Sequence, residues 1–387
     1  MADPRGFLTY QRHDPGYRPR DKRVRDFRAV ELRLDGEELQ RQAARCMDCG
    51  IPFCHGSGCP LANAVPEIND LVYRGRWQQA VALLLSTDPF PELTGRLCPA
   101  LCEGACVLGL HDEPVTIRQL ELEVIEAGFE RGFVGPHPPA QRHPESVAVV
   151  GSGPAGMAAA HVLNQRGYHV TVFELARRPG GILRYGVPDF KLEKWVLDRR
   201  VPLMEAEGVR FETAVEIGRD ISCRYLQDRY AAIVLTGGAR QPRDLAVPGR
   251  QLGGVHFAMA YLVQQNRLNA GEPLAEGEER IRAEGKRVVV IGGGDTGSDC
   301  LGTALRQGAR RVSQVEILPE PPPSRSPRTP WPEWPEMRRD SSSHQEGGER
   351  RWSVLTESFE GSAGHVEALR CAAVDWVPGP DGRRVPS

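Results

Sequence analysis

Two stretches of this chain repeat one pattern, and together they fix most of what it can fold into. VAVVGSGPAGMAAAHVLNQRG followed by HVTVFE reads as strand, glycine-rich turn, helix and strand, and KRVVVIGGGDTGSDCLGTALRQGA followed by RVSQVEIL repeats it. In the first unit Gly151 permits a tight turn, Gly153 lets backbone approach a pyrophosphate, and Gly156 lets the helix pack on the strand. The helix N-terminus then faces the phosphates. Glu174 ends the second strand, 23 residues after Gly151, at the spacing of a carboxylate that bonds a ribose hydroxyl. The second unit places Gly292, Gly293, Gly294 and Gly297 in its turn and ends its second strand at Glu316, 24 residues after Gly292. One such turn alone is a weak signal. Two complete units predict two dinucleotide sites on parallel α/β sheets. Glu316 favours a free 2′-hydroxyl and so NADH, while Arg310 and Arg311, close in sequence, leave NADPH open. Between the units, Gly180-Gly181 offers the close backbone approach a flavin ring needs, and YAAIVLTGGA reads as a buried strand.

Cysteine is the second constraint. Of ten, seven fall between Cys46 and Cys106: Cys46, Cys49, Cys54 and Cys59, then Cys98, Cys102 and Cys106. The N-terminus, MADPRGFLTYQRHD, has no apolar signal-peptide core. That predicts a cytoplasmic protein, in which clustered cysteines mean metal or redox chemistry rather than disulfides. Short spacings with Pro directly after Cys59 and Cys98 fit iron–sulfur patterns. Two [4Fe–4S] clusters need eight ligands, so one would come from another side chain. Structural zinc, with His55 or His111 completing a site, is the alternative. Redox cofactors next to two dinucleotide units favour iron. Cys223, Cys300 and Cys371 read as buried small hydrophobes.

At 387 residues the chain has room for two or three domains. Residues 1–144 carry helical periodicity: EELQRQAARC, PEINDLVYRG, WQQAVALLLST with Trp77, Val81, Leu84 and Leu85 on one face, and TIRQLELEVIEAGFERG with Ile117, Leu120, Val124 and Phe129 inward. A Pro-rich linker spans 135–146; the two nucleotide units then occupy 145–250 and 251–387. RWSVLTESFEG and HVEALRCAAVDWVPGPDGRRVPS read as strands with a hairpin turn. A net charge of −2 argues against nucleic acid as partner, and no apolar run approaches a membrane span. There is no arrangement of a nucleophile with a base, and cofactor-borne chemistry needs none.

ARCMDCGIPFCH, LCPALCEGACVLG, VAVVGSGPAGMAAA, GGILRYGVPDFKLEK and PWPEWP…SSSHQEGG together resemble the small (beta) subunit family of glutamate synthase, over nearly the whole chain. The resemblance implies a helical iron–sulfur domain followed by two Rossmann-like domains of glutathione-reductase type. It implies that NADPH or NADH reduces FAD, and that electrons pass through two [4Fe–4S] clusters to the large (alpha) subunit, where glutamine and 2-oxoglutarate become two glutamates. One cluster would take Cys46, Cys49, Cys54 and Cys106. The other would take Cys59, Cys98, Cys102 and Glu121, a residue that otherwise reads as solvent-facing, with Gln119 the near competitor. FAD would meet Gly151, Gly153, Pro154, Ala155, Gly156, Glu174, Gly181, Ile182 and Lys191. The coenzyme would meet Gly292, Gly293, Gly294, Asp295, Thr296, Gly297 and Glu316. A stand-alone NAD(P)H:ferredoxin-type reductase shares this architecture.

The sequence departs from the family in two places. The spacer between Cys54 and Cys59 is one residue longer than the C-x3-C of many relatives, and Gly56-Ser57-Gly58 should absorb it. No match is found to the second flavin-domain segment with which family members continue. On that reading the chain is truncated, a form in which FAD binding and activity would be impaired and only the iron–sulfur part retained.

Overall fold

In the computed structural model, which describes residues 2–378 and 384–387, the first 130 residues form helices around one buried helix. Helix α1 (Gly36–Ala44) starts where the Asp35 side chain accepts the Glu38 N–H, and buries Leu39 and Ala43. Helix α2 (Val65–Tyr73) carries Pro66 in its first turn, where the missing N–H is not needed. Helix α3 (Trp77–Leu85) buries Val81 and Leu84, with Trp77 and Leu85 half-buried on the same face. Helix α4 (Pro91–Leu97) faces two ways. Gly95 lies so close to Leu122 that a Cβ would sit 2.8 Å from its Cβ, while Phe90, Leu93 and Leu97 pack into the core of the next unit.

Helix α5 (Ile117–Glu130) is the buried one, with 11 of its 14 residues out of solvent. The single inward face expected from periodicity is therefore too narrow. Acids are tolerated on the other faces because distant segments supply partners: Arg33 reaches Glu123 at 2.6 Å, while Arg96 and Arg199 reach Glu126 at 2.9 and 2.8 Å. Glu121 is buried as well, which corrects the solvent-facing expectation.

The first sheet is parallel, in the order β3-β2-β1-β4, from β1 (Ser146–Val150), β2 (His169–Glu174), β3 (Arg210–Thr213) and β4 (Ala232–Leu235). Helices α6 (Pro154–Gln165) and α7 (Trp195–Ala206) cover its core. β4 was expected to be buried, but it lies at the sheet edge and Leu235 is 79% exposed. The second sheet is β5-β6-β7, also parallel: β5 (Arg287–Ile291), β6 (Arg311–Val315) and β7 (Glu349–Arg351), packed with α8 (Ala258–Asn269) and α9 (Asp295–Arg306). The expected C-terminal strands form an antiparallel hairpin, β8 (Val354–Ser362) with β9 (His365–Ala373), and a short pair, β10 (Trp376–Pro378) with β11 (Arg384–Pro386). The turn predicted at PDGR lies outside the described residues. Of the scattered cysteines Cys300 is buried as expected, whereas Cys223 and Cys371 are exposed, because each sits on the outward side of a surface element.

The Pro-rich linker is docked at its end. Arg142 donates to Asn164 Oδ1 (2.7 Å), the Tyr168 carbonyl (3.0 Å) and the Glu207 carbonyl (2.6 Å) of the first nucleotide unit. The N-terminal arm is tied to the second: Glu346 sits between Arg23 at 2.8 Å and Arg306 at 2.6 Å, all three buried.

Candidate functional site

One cavity of the helical part is lined by Cys46, Cys49, Cys54 and Cys106, with Met47, Phe53, Val65, Pro66 and Asn69 around them. Three of these cysteines come from the loop after α1; the fourth arrives 52 residues later, after the turn Leu101–Gly104. Burial, reinforced by the neighbouring thiols, pushes Cys54 up to about 12, and Cys46 and Cys49 are raised for the same first cause. Such thiols lose their protons when a metal takes their place. Among the described residues no three His, Cys, Asp or Glu side chains converge on a point where a single ion would sit. Four thiols lining one small cavity are a ligand set that a four-iron cluster could take.

The remaining cysteines gather separately. Burial raises Cys98, and raises Cys102 well above its ordinary value; the Glu121 carboxylate and Cys59 face both thiols and add to the effect. Glu121 Oε1 accepts the Asn63 amide at 2.8 Å, and Asn63 Oδ1 in turn accepts the Thr87 hydroxyl at 2.7 Å. Burial pushes Glu121 up to about 7 against the pull of Asn63. Gln119 points elsewhere, donating to Glu31 at 2.6 Å. Of the two candidates, Glu121 is the one whose charge is felt at Cys98 and Cys102, while Gln119 is turned to Glu31.

The longer Cys54–Cys59 spacer is absorbed by a definite device. Residues Cys54–Gly58 form a π-helical turn closed by Cys59 N–H to the Cys54 carbonyl at 2.9 Å, the wider ring that takes up one extra residue. Gly58 then lies against Cys102, where a Cβ would sit 2.6 Å from its Cα.

In the first nucleotide unit, glycines leave a cradle that side chains would fill. Gly151 has φ +105° and a Cβ there would meet the Thr236 carbonyl oxygen at 2.5 Å; one on Gly156 would meet the Gly151 carbonyl oxygen at 1.9 Å. Gly181 (φ +50°) stacks on Gly153, with 2.6 Å from its ideal Cβ to the Gly153 Cα. Pro154 and Ala155 are exposed in the first turn of α6, and Ile182 is exposed beside Gly181. Glu174 accepts the Ser152 hydroxyl, the Ser152 N–H at 2.9 Å and the Ala176 N–H at 2.8 Å, so the carboxylate pins the turn. Lys191 reaches across to Asp299 of α9 at 2.5 Å. Backbone open to a phosphate chain, beside a carboxylate, fits the adenosine diphosphate part of FAD.

The second unit repeats this. Gly292 has φ +115°, a Cβ on Gly297 would lie 2.3 Å from the Gly292 carbonyl oxygen, and Gln314 Nε2 holds that oxygen at 2.7 Å. Glu316 Oε2 accepts Gly293 N–H at 2.6 Å. Gly294, Asp295 and Thr296 lead into α9 beneath this turn.

The segment that carries PWPEWP crosses from this unit to the cysteines as a strap. Trp331 packs on Phe53 with ring centroids 4.5 Å apart, and Trp334 lies against Gly104. Arg325 donates to the Gly104 carbonyl at 2.9 Å and to those of Thr329 and Glu333. Phe53 precedes Cys54 and Gly104 lies between Cys102 and Cys106, so the strap lands on both groups of cysteines. The Pro–Trp repeat was the available signal; Asn63, Asn69 and Thr87 had none.

Residues 23–133 match the family model of dihydropyrimidine dehydrogenase domain II, 4Fe-4S cluster, and residues 145–328 match that of pyridine nucleotide-disulphide oxidoreductase. The glutamate synthase (NADPH) small chain of Mycobacterium tuberculosis is 54% identical over 98% of this chain and 78% of its own. The chain belongs to the glutamate synthase small-chain family. The glutamate synthase (NADH) of Schizosaccharomyces pombe is 46% identical over 98% of this chain and 18% of its own length. FprA from Mycobacterium tuberculosis (His57Gln mutant) shares the fold at 20% identity and a TM-score of 0.50, over 63% of this chain and 67% of that one. As a member of this family the chain is an NAD(P)H-dependent flavin oxidoreductase with a 4Fe–4S domain. Among the described residues no helix is long and apolar enough to cross a membrane.

Proposed function

We propose that this chain feeds electrons from a nicotinamide coenzyme into a glutamate synthase large subunit by way of FAD and two [4Fe–4S] clusters. The observation that carries the reading is that four of the seven clustered cysteines line one cavity while Cys98 and Cys102 lie under the charge of the buried Glu121. Cys46, Cys49, Cys54 and Cys106 would hold one cluster, and Cys59, Cys98, Cys102 and Glu121 the other. The bound groups would supply two-electron acceptance at the flavin and one-electron carriage at the iron.

The chain's own residues position and insulate. Gly151, Gly153, Pro154, Ala155, Gly156, Gly181 and Ile182 leave room and backbone donors for FAD, and Glu174 holds the turn where the ribose would lie. Lys191, bound to Asp299, draws the flavin side against the coenzyme unit. Gly292, Gly293, Gly294, Asp295, Thr296, Gly297 and Glu316 offer the equivalent seat for the coenzyme. Helix α4 packs into the core of the flavin unit and ends at Leu97, directly before Cys98, so it would tie the ligands of the group with Glu121 to the unit that would hold FAD. The domains expected at 1–144, 145–250 and 251–387 each take one cofactor role in this reading.

The test is a titration of purified chain with dithionite under EPR, followed by copurification with the large subunit. Two distinct reduced iron–sulfur signals and a stable complex are expected; a single signal, or no complex, would refute the corresponding part.

A further inference from the structure

Among the residues lining the cavity of Cys46, Cys49, Cys54 and Cys106, Asn69 of α2 is the one with a polar side chain other than a thiol. It is 1% exposed, and its Nδ2 has no hydrogen-bond partner among the described residues. Burying an amide donor without an acceptor is costly, so an orphan of this kind points to a group that accepts from it when present. Burial raises the Cys46 thiol and the Asn69 amide works against that rise, which places the amide beside this sulfur. Val65 and Pro66, the first turn of α2, line the same cavity, and Asn69 lies one turn further along that face. The positive end of the helix is turned to the same place.

A cation stands behind the same loop. Arg45, directly before Cys46, is wholly buried, and its guanidinium is spent on carbonyls: Nε donates to Tyr10 at 3.1 Å, Nη1 to Pro114 at 3.0 Å and Nη2 to Glu113 at 2.7 Å. Its ion pair is a long one, 3.6 Å to an exposed Asp112. A buried charge with no close carboxylate calls for an anion elsewhere, and Cys106 is one that it feels. The other group of cysteines meets the opposite field. Cys98 and Cys102 face the Glu121 carboxylate, and Cys102 faces Glu103 as well. The amide near them, Asn63 Nδ2, is already taken by Glu121 Oε1 at 2.8 Å. Backbone N–H groups reach both sets, Asp48 at Cys46 and Ala100 at Cys98, so the side chains make the difference. A four-iron cluster gains negative charge on reduction, so donors to its sulfurs and nearby cations raise its potential, and carboxylates lower it.

We infer that Asn69 donates a hydrogen bond to the sulfurs of the cluster held by Cys46, Cys49, Cys54 and Cys106 and, with the charge of Arg45, sets its reduction potential above that of the other cluster. The inference rests on the two-cluster reading above. The full chain, prepared anaerobically, is titrated with dithionite and mediators under EPR. Glu121→Ala, which should erase the signal of the other cluster, tells the two apart. In the unsubstituted chain the signal that survives this substitution should have the higher midpoint. Asn69→Leu should hold its iron and weaken reduction of that cluster at least about tenfold, a fall of about 59 mV for one electron, with the other midpoint unmoved. Asn69→Ala repeats the reading where leucine does not fit. An unmoved midpoint in a variant that holds its iron would overturn the inference and leave two clusters standing, as would a lower midpoint than the other cluster from the start. Loss of iron from both variants would make Asn69 a residue of the fold and overturn it too. One iron–sulfur signal in the unsubstituted chain would refute the two-cluster reading itself.

Discussion

The Glu92 carboxylate takes both Nε and Nη2 of Arg200, at 2.5 and 2.9 Å, with both side chains shut off from water. Glu92 opens α4 of the helical part and Arg200 lies in α7 of the flavin unit, so a buried ion pair joins the two. Removing one partner strands the other charge, at about 3–5 kcal/mol. Arg200→Met should therefore lower the urea midpoint markedly, and adding Glu92→Leu should recover most of the loss. Equal damage from the single and double variants would show that the pairing does not matter.

Iron content follows from the two groups of four ligands. Anaerobically prepared protein should hold about eight iron atoms per chain, as two four-iron clusters imply. One or two equivalents of zinc with little iron would contradict the assignment.

Glu121 offers a finer check, because it faces Cys98 and Cys102 whereas Gln119 faces Glu31. Glu121→Ala should bring iron down to about half and erase one EPR signal. Gln119→Ala should keep both signals, even if the fold is weakened. Asn63→Ala, which frees the Glu121 carboxylate without removing it, should retain iron but alter the signal of that cluster.

The strap over the cysteines should slow access to the iron. Arg325→Ala removes three hydrogen bonds and Trp331→Ala removes the contact with Phe53. Either should speed iron loss to a chelator at least about fivefold. Unchanged release would mean that the strap does not shield the clusters.

Gly181 combines φ +50° with the 2.6 Å approach to Gly153. An alanine there faces left-handed strain of about 1–2 kcal/mol as well as a clash. Gly181→Ala should lower the flavin bound per chain at fixed FAD relative to the unsubstituted protein. Gly135→Ala, with nothing within 4 Å of its ideal Cβ, should not.

Legibility in the sequence tracked how local the signal was. The glycine turns at 151–156 and 292–297 announce themselves because turn, strand and helix are contiguous. Helix α5 shows the limit: Glu121, Glu123 and Glu126 look like a solvated face until Arg33, Arg96, Arg199 and Asn63 arrive from elsewhere in the chain. β4 misled in the opposite direction, since an apolar run says nothing about edge or centre. The proposed partition of the cysteines comes from family likeness, because spacing alone does not say that Cys59 leaves its neighbours.

That partition interlaces the polypeptide. Cys106 closes the group begun by Cys46, while Cys59 waits for Cys98 and Cys102, so each group clasps both ends of the same stretch. On the proposed ligand sets neither group is complete until the chain has been made past Cys98, so both depend on the folding of one loop, as two buckles on a single belt.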